Sequence, residues 1–225
     1  MRRDLLIAIV VFWIGMGDFA IAAVQPGGAS QFIRQLGDQA IAALRAPDTS
    51  LEAREAQIRN LLSEGFDLPF IGRFVLGRYW EQATPEQRRD YLQLFSEYVL
   101  KTYSARLDSY AGETMTILSE RPAGTKDIVV STRIERPSGP PIEADWRVRT
   151  SGERYRIIDV MVAGVSMVVT QRSEFAAVIR RHRLQGLIEV LRAHYAPAEI
   201  DPERGPPRLT HRVHHDQTAE KRTRY

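Results

Sequence analysis

The feature that most constrains the fold is a change in hydrophobic period at Gly112. Before Gly112, apolar residues recur at the spacing of amphipathic helices. After it, apolar and polar residues alternate through to Val162, which is typical of strands with one buried face. The helical period returns from about Val168 to His194. Helices and strands that occur in separate blocks predict an α+β domain with an antiparallel sheet.

The helical block before Gly112 contains clear start and stop signals. The first predicted helix ends at Ala46, the second is closed by Gly65, and the third begins at a capping Asp67 and stops at Gly77. The fourth begins at the sequence Thr84-Pro85-Glu86-Gln87, whose threonine and glutamine can form a capping box around a proline in the first helical position. We expect this long helix to run to about residue 109.

The block after Gly112 predicts four strands separated by turns rich in Pro and Gly. These strands are Met115–Arg121, Asp127–Arg136, Ile142–Thr150 and Arg154–Val162. In the third strand, one face carries Ile142, Ala144, Trp146 and Val148, and the other carries Glu143, Asp145, Arg147 and Arg149. This alternation predicts a sheet with one covered face and one face in water. The final helical block is expected to break near residues 183–186.

Residues 1–22 have the layout of a secretory signal peptide. Arg2 and Arg3 precede an apolar run, and the small-residue sequence Ala20-Ile21-Ala22 predicts cleavage after Ala22. An uncleaved membrane anchor is the alternative. However, Asp18 interrupts the run before it reaches the roughly 20 apolar residues that a span needs. We therefore expect an exported protein that works outside the cytoplasm.

The remaining chain is predicted to form a linker, one domain and a tail. Residues 23–30 contain the Pro/Gly-rich linker. The domain is expected to span residues 31–196, with helices at 31–110, a sheet at 114–162 and helices again at 166–194. Residues 197–225 contain almost no large apolar side chains, so we expect a disordered tail.

The composition and the missing motifs exclude several classes of function. The chain has no cysteine, which excludes disulfides, thiol catalysis and thiolate metal sites. Its net charge of +3, with both signs interspersed, argues against a dedicated nucleic-acid surface. The sequence contains no phosphate-binding glycine loop, zinc-protease motif or nucleophile elbow. We therefore expect no catalytic residue, no metal and no cofactor.

Asp145 and Asp159 are unusual because aspartate is uncommon within strands. Either of them could act as the general base of an enzyme with a pocket in a cone-shaped sheet. The simpler interpretation pairs them with neighbouring arginines, such as Arg147 or Arg156, on the wet face. We favour that interpretation because no set of catalytic partners is visible.

Aromatic and aliphatic side chains are concentrated between Phe70 and Trp80 and along the fourth predicted helix. Such a concentration fits an ordinary filled core. It fits equally well an apolar cleft for lipid between the helices and the sheet. Periodicity does not separate these two interpretations.

Two blocks of sequence resemble the MlaC-type family, also called the toluene-tolerance proteins. The first block is Phe66-Asp67-Leu68-Pro69-Phe70-Ile71-Gly72-Arg73-Phe74-Val75-Leu76-Gly77-Arg78-Tyr79-Trp80, continued by Ala83–Gln87 and Phe95–Tyr103. The second is Asp159-Val160-Met161-Val162-Ala163-Gly164-Val165-Ser166, followed by Gln171–Phe175. The resemblance extends from about Phe32 to Leu191. Many relatives carry Met where Ile71 stands, and the tail after Pro197 has no counterpart in the family pattern.

This resemblance implies a cystatin- or NTF2-like antiparallel sheet of four strands, covered by a helical subdomain. It also implies a periplasmic carrier that shuttles phospholipid between inner and outer membranes and so maintains outer-membrane lipid asymmetry. The implied partners are an inner-membrane MCE/ABC-type transporter, of which the carrier is an auxiliary component, and an outer-membrane lipoprotein complex. A related branch is associated with hopanoid biosynthesis, and the segment 72–76 is similar to it. Phospholipid and hopanoid are therefore both candidate ligands.

If the helices and the sheet enclose acyl chains, inward-facing apolar side chains should line the pocket. The lipid-binding residues predicted in this way are Phe70, Phe74, Phe95, Val99, Tyr103, Val130, Trp146, Val148, Val160, Val165 and Met167. Two alternatives to the carrier stay open. One is an enzyme that uses Asp145 or Asp159 as its base, and the other is an interaction adaptor with a filled core.

Overall fold

The computed structural model describes residues 27–46, 49–104, 112–151 and 154–195. The predicted signal peptide, the linker residues before 27 and the predicted tail at 197–225 lie outside the described residues. Across the four described ranges, no helix combines the length and the apolarity needed to cross a membrane. Signal cleavage and disorder of the tail therefore stay predictions.

The described part of the first block consists of helices in close succession. They are α1 (Gly28–Arg45), α2 (Leu51–Gly65), α3 (Leu68–Leu76), α4 (Arg78–Gln82) and α5 (Pro85–Ser104). The predicted caps are confirmed, since Asp67 Oδ1 accepts a hydrogen bond from Phe70 N–H at 3.1 Å. Thr84 and Gln87 form the capping box, with both N···O distances at 3.2 Å. The predicted last turn of α5, residues 105–109, lies outside the described residues.

Helix α1 begins earlier than the sequence predicts. Residues 28–30 form its first turn instead of ending the linker, and Ala29 is fully buried. The cause is remote in sequence, because the Glu120 carboxylate accepts hydrogen bonds from the N–H groups of Gly27 (3.1 Å) and Ser30 (2.8 Å). Burial alone would raise the pKa of Glu120, but these hydrogen bonds from Ser30 and Gly27 lower it. A carboxylate at this position satisfies N–H groups that have no partner within the helix.

The short helix α4 has no counterpart in the sequence-based prediction. Gly77 separates it from α3 and has φ 57° and ψ −128°. Glycine adopts such a backbone conformation at little steric cost. The predicted stop at Gly77 is therefore confirmed, but the chain turns there into a second helix instead of a loop.

An antiparallel meander follows the helices. Its strands are β1 (Thr114–Ala123), β2 (Asp127–Glu135), β3 (Ile142–Ser151), β4 (Arg154–Val162) and β5 (Val165–Ser166), in the spatial order β1-β2-β3-β4-β5. The predicted α+β class is confirmed, but the count of four strands is wrong because β5 pairs with β4. Ala163 and Gly164 both have positive φ (49° and 78°), which suits a two-residue hairpin turn. A strand of two residues is too short to show alternation in the sequence.

The inner face of the sheet packs against α1. Along this face, Trp146 pairs with Val130 on one side and with Val160 on the other. Val130 also belongs to a group of buried residues that we call the sheet core, made of Ala29, Ile33, Ile128, Val130, Val148 and Ile157. The predicted alternation of β3 is confirmed, because Ala144 and Val148 are buried while Glu143 and Arg147 are exposed.

Helix α6 (Met167–Tyr195) completes the domain and packs against α3 and α5. It contains the predicted break, at Arg183, where φ is 60° and ψ is 177°. The three helices enclose a second group, the helical core, made of Ile71, Val75, Leu76, Tyr91, Leu94, Phe95, Val168, Phe175, Ile179, Leu187, Ile188 and Leu191. Within it, the Tyr91 hydroxyl donates to Gly72 O at 3.0 Å, and burial raises the pKa of Tyr91.

Candidate functional site

An apolar cavity of about 490 Å³ lies where the sheet core and the helical core meet. Its volume falls within the range of roughly 300–1,000 Å³ that is typical of small-molecule pockets. The lining residues are Ile33, Leu36, Gly37, Ala40, Ile58, Leu61, Leu62, Phe66, Leu68, Ile71, Val75, Phe95, Val99, Tyr103, Met115, Trp146, Asp159, Val160, Val162, Met167, Val168 and Gln171. Nearly all of these side chains are apolar, so the cavity suits an apolar ligand.

One wall of the cavity comes from α1 and α2, and sequence reasoning missed it. On α1 the lining residues are Ile33, Leu36, Gly37 and Ala40. Their spacing places them along one helix face. On α2, the lining residues are Ile58, Leu61 and Leu62, and they too lie along one helix face. The helical period in the sequence carries this signal, but it does not distinguish a helix face that lines a cavity from one that packs in a filled core.

Helix α3 lines the cavity with aliphatic side chains, and its two phenylalanines point elsewhere. Leu68, Ile71 and Val75 share the face that lines the cavity. Phe70 points elsewhere and packs under the Arg149 guanidinium, 4.6 Å from its ring centroid. Phe74 is 38% exposed and lies under Arg172 at 5.2 Å. The structure therefore places both predicted phenylalanines outside the cavity, because the phase of α3 turns them away.

The remaining predicted residues divide between the cavity and its surroundings. Phe95, Val99, Tyr103, Trp146, Val160 and Met167 line the cavity. Val130 and Val148 have no exposed surface, belong to the sheet core and do not line the cavity. Val165 is 54% exposed on the short β5. Contact between lipid and the six lining residues stays a prediction.

Trp146 shows how the polar atoms of the wall are satisfied away from the cavity. Its indole N–H donates to Thr132 Oγ1 at 2.9 Å, and the Thr132 hydroxyl donates to Ala144 O at 3.1 Å. Thr132 itself has no exposed surface. These hydrogen bonds offset the cost of burying the polar groups, so the tryptophan ring can face an apolar ligand.

The acidic and amide groups of the cavity are also occupied by neighbouring protein groups. Asp159 accepts hydrogen bonds from the Ser166 hydroxyl at 2.6 Å and from Val168 N–H at 3.2 Å, which caps the start of α6. The Gln171 side-chain oxygen accepts a hydrogen bond from the Tyr98 hydroxyl at 2.5 Å. Asp159 therefore has an architectural partner set and not the arginine partner that the sequence suggested.

On the outer face, Asp145 has an arginine partner, as the simpler interpretation predicts, but this arginine is neither Arg147 nor Arg156. Asp145 lies 3.6 Å from Arg121. Arg147 pairs with Asp127 at 2.7 Å. Within the described ranges, no three acidic or histidine side chains are grouped as metal ligands would be.

A profile of the MlaC protein family matches residues 34–193, from α1 to the last turn of α6. The chain belongs to the MlaC family. The intermembrane phospholipid transport system binding protein MlaC of Haemophilus influenzae is 26% identical over 135 residues, which cover 58% of this chain and 63% of that protein. The alignment thus spans less than two thirds of that relative.

A solved structure shares the MlaC-like fold. It is a phospholipid-binding protein from Ralstonia solanacearum in complex with a phospholipid, and it is 25% identical to this chain with a TM-score of 0.65. The match covers 73% of this chain and 95% of the Ralstonia chain. The MlaC profile includes every lining residue of the cavity except Ile33. The cavity is therefore built almost wholly from the part of the chain that defines its membership of the MlaC family.

Proposed function

We propose that this protein is a periplasmic phospholipid carrier that holds acyl chains in the cavity between the sheet core and the helical core. The observation that carries the proposal is the chemistry of the cavity wall. Its side chains are almost all apolar, and its Asp159 and Gln171 already have protein partners. Such a space offers acyl chains an environment similar to the interior of a bilayer.

The free energy of lipid desorption explains why a carrier needs this kind of cavity. Exposing acyl chains to water costs about 0.8 kcal/mol per methylene, so roughly 30 methylenes cost more than 20 kcal/mol. A carrier has to offset nearly all of this cost to accept a lipid from a membrane at a useful rate. A preformed apolar cavity achieves this without first exposing the protein core to water.

The relatives support the same role and suggest its setting. The Ralstonia protein binds a phospholipid, and the Haemophilus protein is part of an intermembrane phospholipid transport system. A protein that serves two membranes works in the compartment between them. We therefore propose periplasmic shuttling, with an inner-membrane MCE/ABC-type transporter and an outer-membrane lipoprotein complex as partners. Hopanoid is the alternative ligand, because the segment 72–76 resembles that branch.

An enzymatic role has less support. A general base needs a carboxylate that can reach the substrate proton. Asp159 caps α6, and Asp145 lies beside Arg121 on the outer face. We propose that both aspartates are structural and that the protein transports its ligand without chemical change.

The proposal is tested by mass spectrometry of organic extracts from the purified protein, together with a pair of matched variants. Ala40→Trp places an indole inside the cavity, whereas Ala42→Trp places one on the exposed side of the same helix. We expect Ala40→Trp to reduce bound lipid by about tenfold. This estimate assumes that the ring displaces at least two methylenes at about 0.8 kcal/mol each. Ala42→Trp should leave the amount of bound lipid unchanged.

Three outcomes contradict the proposal. The first is a purified wild-type protein that neither contains phospholipid nor takes it up from vesicles. The second is equal lipid loss in the two variants. The third is a melting temperature for the lipid-free Ala40→Trp protein that falls together with its lipid load, because a filled core loses about 1–3 kcal/mol when it is overpacked. Extraction of hopanoid alone would replace phospholipid as the ligand.

A further inference from the structure

A second, polar pocket of about 290 Å³ lies outside the cavity, over the seam between α1 and α2. Leu36 and Leu61 line both the apolar cavity and this pocket, so their side chains form the partition between the two spaces. The helices approach closely here, because a Cβ on Gly65 would lie 2.9 Å from Leu36 Cδ2. Only these two side chains separate the spaces, so a lipid whose chains lie in the cavity would place its polar end in the pocket by displacing Leu36 and Leu61.

The polar pocket contains charges of both signs. Its basic residues are Arg154 and Arg156, and its acidic residue is Glu64. Arg156 Nη1 donates to the backbone carbonyls of Ser63 and Glu64, at the end of α2, where the helix dipole favours a cation. These bonds hold the guanidinium in place and leave its other N–H groups for a ligand.

The charges at Arg154 and at the Glu64 carboxylate have no ion-pair partner among the residues that the structure describes, and they do not pair with each other. Opposite charges that line one pocket without contact can be bridged by a group that carries both signs. The exposed amides of Gln35 and Gln39, on the neighbouring helix α1, add hydrogen-bond donors to the same pocket.

The α6 end of the cavity is a poor place for a phosphate. Asp159 lies there, and its negative charge would repel an anionic group. The Gln171 oxygen is engaged by Tyr98. A lipid whose chains fill the cavity is therefore better accommodated with its polar end at the α1–α2 seam.

We propose that the polar pocket is the headgroup subsite for a zwitterionic lipid of the phosphoethanolamine type. The phosphate lies by Arg154 and Arg156, and the ammonium lies by the Glu64 carboxylate. This inference rests on the proposed carrier function and adds a preference for one headgroup class. An anionic phosphoglycerol headgroup supplies the phosphate but has no ammonium for Glu64, so it binds less well.

The test uses full-length mature protein that has been stripped of lipid and incubated with vesicles of equal phosphatidylethanolamine and phosphatidylglycerol content. Lipid recovered with the protein is then quantified by headgroup. We expect wild-type protein to enrich phosphatidylethanolamine over the vesicles. Glu64→Gln should reduce this enrichment about two- to fivefold, the range of an exposed ion pair. Arg154→Gln should lower the uptake of both lipids by a similar factor.

Matched controls carry the same change of charge away from both pockets. Glu52→Gln lies on the same helix as Glu64, and Arg181→Gln lies on α6. Both positions are exposed, and we expect both controls to take up lipid as wild type does.

The outcomes separate this inference from the carrier function. The headgroup subsite is wrong if the wild-type protein takes up lipid without headgroup preference. It is also wrong if the pocket variants take up lipid as their controls do. Neither result contradicts the carrier function. Protein that takes up no lipid contradicts the carrier function itself. Soluble glycerophosphoethanolamine serves as a further probe. If it stabilises the wild-type protein while the pocket variants keep the wild-type lipid ratio, the pocket binds a soluble zwitterion and the lipid subsite is wrong.

Discussion

Asp127 is nearly buried on the outer face of the sheet, where two arginines of β3 surround it. Arg149 binds it through two hydrogen bonds of 2.6 and 3.1 Å, and Arg147 donates at 2.8 Å. Arg149 in turn stacks on Phe70 of α3. One carboxylate thus holds a cation between the sheet and the helix that lines the cavity. Its effect on stability is specific and measurable.

Replacement of Asp127 by asparagine should lower the free energy of unfolding at pH 7 by about 1–3 kcal/mol, the range for hydrogen bonds to charged groups. Burial alone would raise the pKa of Asp127, but the hydrogen bonds and charges of Arg149 and Arg147 bring it below its usual value. Because the folded-state pKa lies below the unfolded value of about 3.9, the stabilisation is complete above roughly pH 4. It is lost as the pH falls through the folded-state pKa.

Urea denaturation of wild type and Asp127→Asn at pH 7 and at pH 3 measures this effect. We expect the difference between the two proteins to be smaller at pH 3. Asp90→Asn is the control, because Asp90 and Arg192 form an exposed pair at 2.8 Å, worth about 0–1 kcal/mol. A difference that is the same at both pH values would show that the charge of Asp127 does not contribute.

Partner choice at the residue scale was the least predictable part of the fold. The sequence suggests that Arg147 pairs with Asp145 or Asp159, because these residues are near in sequence or on the same sheet. The structure pairs Arg147 with Asp127, because the register of β2 and β3 places Asp127 opposite Arg149 and diagonally opposite Arg147 on the same face. The Glu120 cap on α1 is hidden for the same reason. Glu120 is separated in the chain from Gly27 by 93 positions and from Ser30 by 90 positions.

Most elements could be predicted, because their signals are local. The cap at Asp67, the capping box at Thr84 and the break near Arg183 all rest on residues within a few positions of each other. The exceptions have physical causes. The β5 strand is too short for alternation, and α4 follows Gly77 without a loop. The phase of α3, which turns Phe70 and Phe74 away from the cavity, could have been found from the spacing of its aliphatic residues.

The break in α6 leads to a prediction at the scale of the helix. Arg183 has φ 60° and ψ 177°, a region occupied almost only by glycine, where other residues store about 1–3 kcal/mol of strain. Arg183→Gly should therefore leave the free energy of unfolding unchanged or raise it by up to about 2 kcal/mol, after the loss of about 0.5–1 kcal/mol from the greater freedom of the unfolded chain.

The matched control for this prediction is Arg180→Gly, on the same helix and also exposed. Position 180 is helical, so glycine there should cost about 1 kcal/mol. Both variants are measured by denaturant unfolding. Equal destabilisation of the two would mean that α6 continues through position 183 without a break.

At the scale of the whole molecule, the notable feature is that two cores meet around an unfilled space. Phe66 packs against both cores and lines the cavity, and its backbone bridges to Ile157 of β4. The sequence identifies apolar faces but does not reveal whether their side chains meet. Hence Val130 and Val148, predicted as pocket residues, belong to a filled core, while the aliphatic wall of α1 and α2 went unnoticed.

A cavity that binds lipid should couple ligand to global stability. Lipid at 100 times its dissociation constant stabilises the folded state by about 2.7 kcal/mol. For a chain of this size that corresponds to a rise in melting temperature of roughly 5–10 °C. Protein stripped of lipid by unfolding and refolding should therefore melt at a lower temperature, and phospholipid vesicles should restore the original value.

Two truncations identify where the lipid contributes this stability. Val148 lies in the sheet core, so Val148→Ala should lower the melting temperature of the stripped and the loaded protein equally. Val99 lines the cavity, so Val99→Ala should lower the melting temperature of the loaded protein more than that of the stripped protein. The reason is that the removed methyl groups contact protein on one side and lipid on the other. Calorimetry of both variants in both states measures the difference. Equal losses for Val99→Ala in the two states would mean that no ligand packs against this wall, and the acyl chains would have to bind elsewhere.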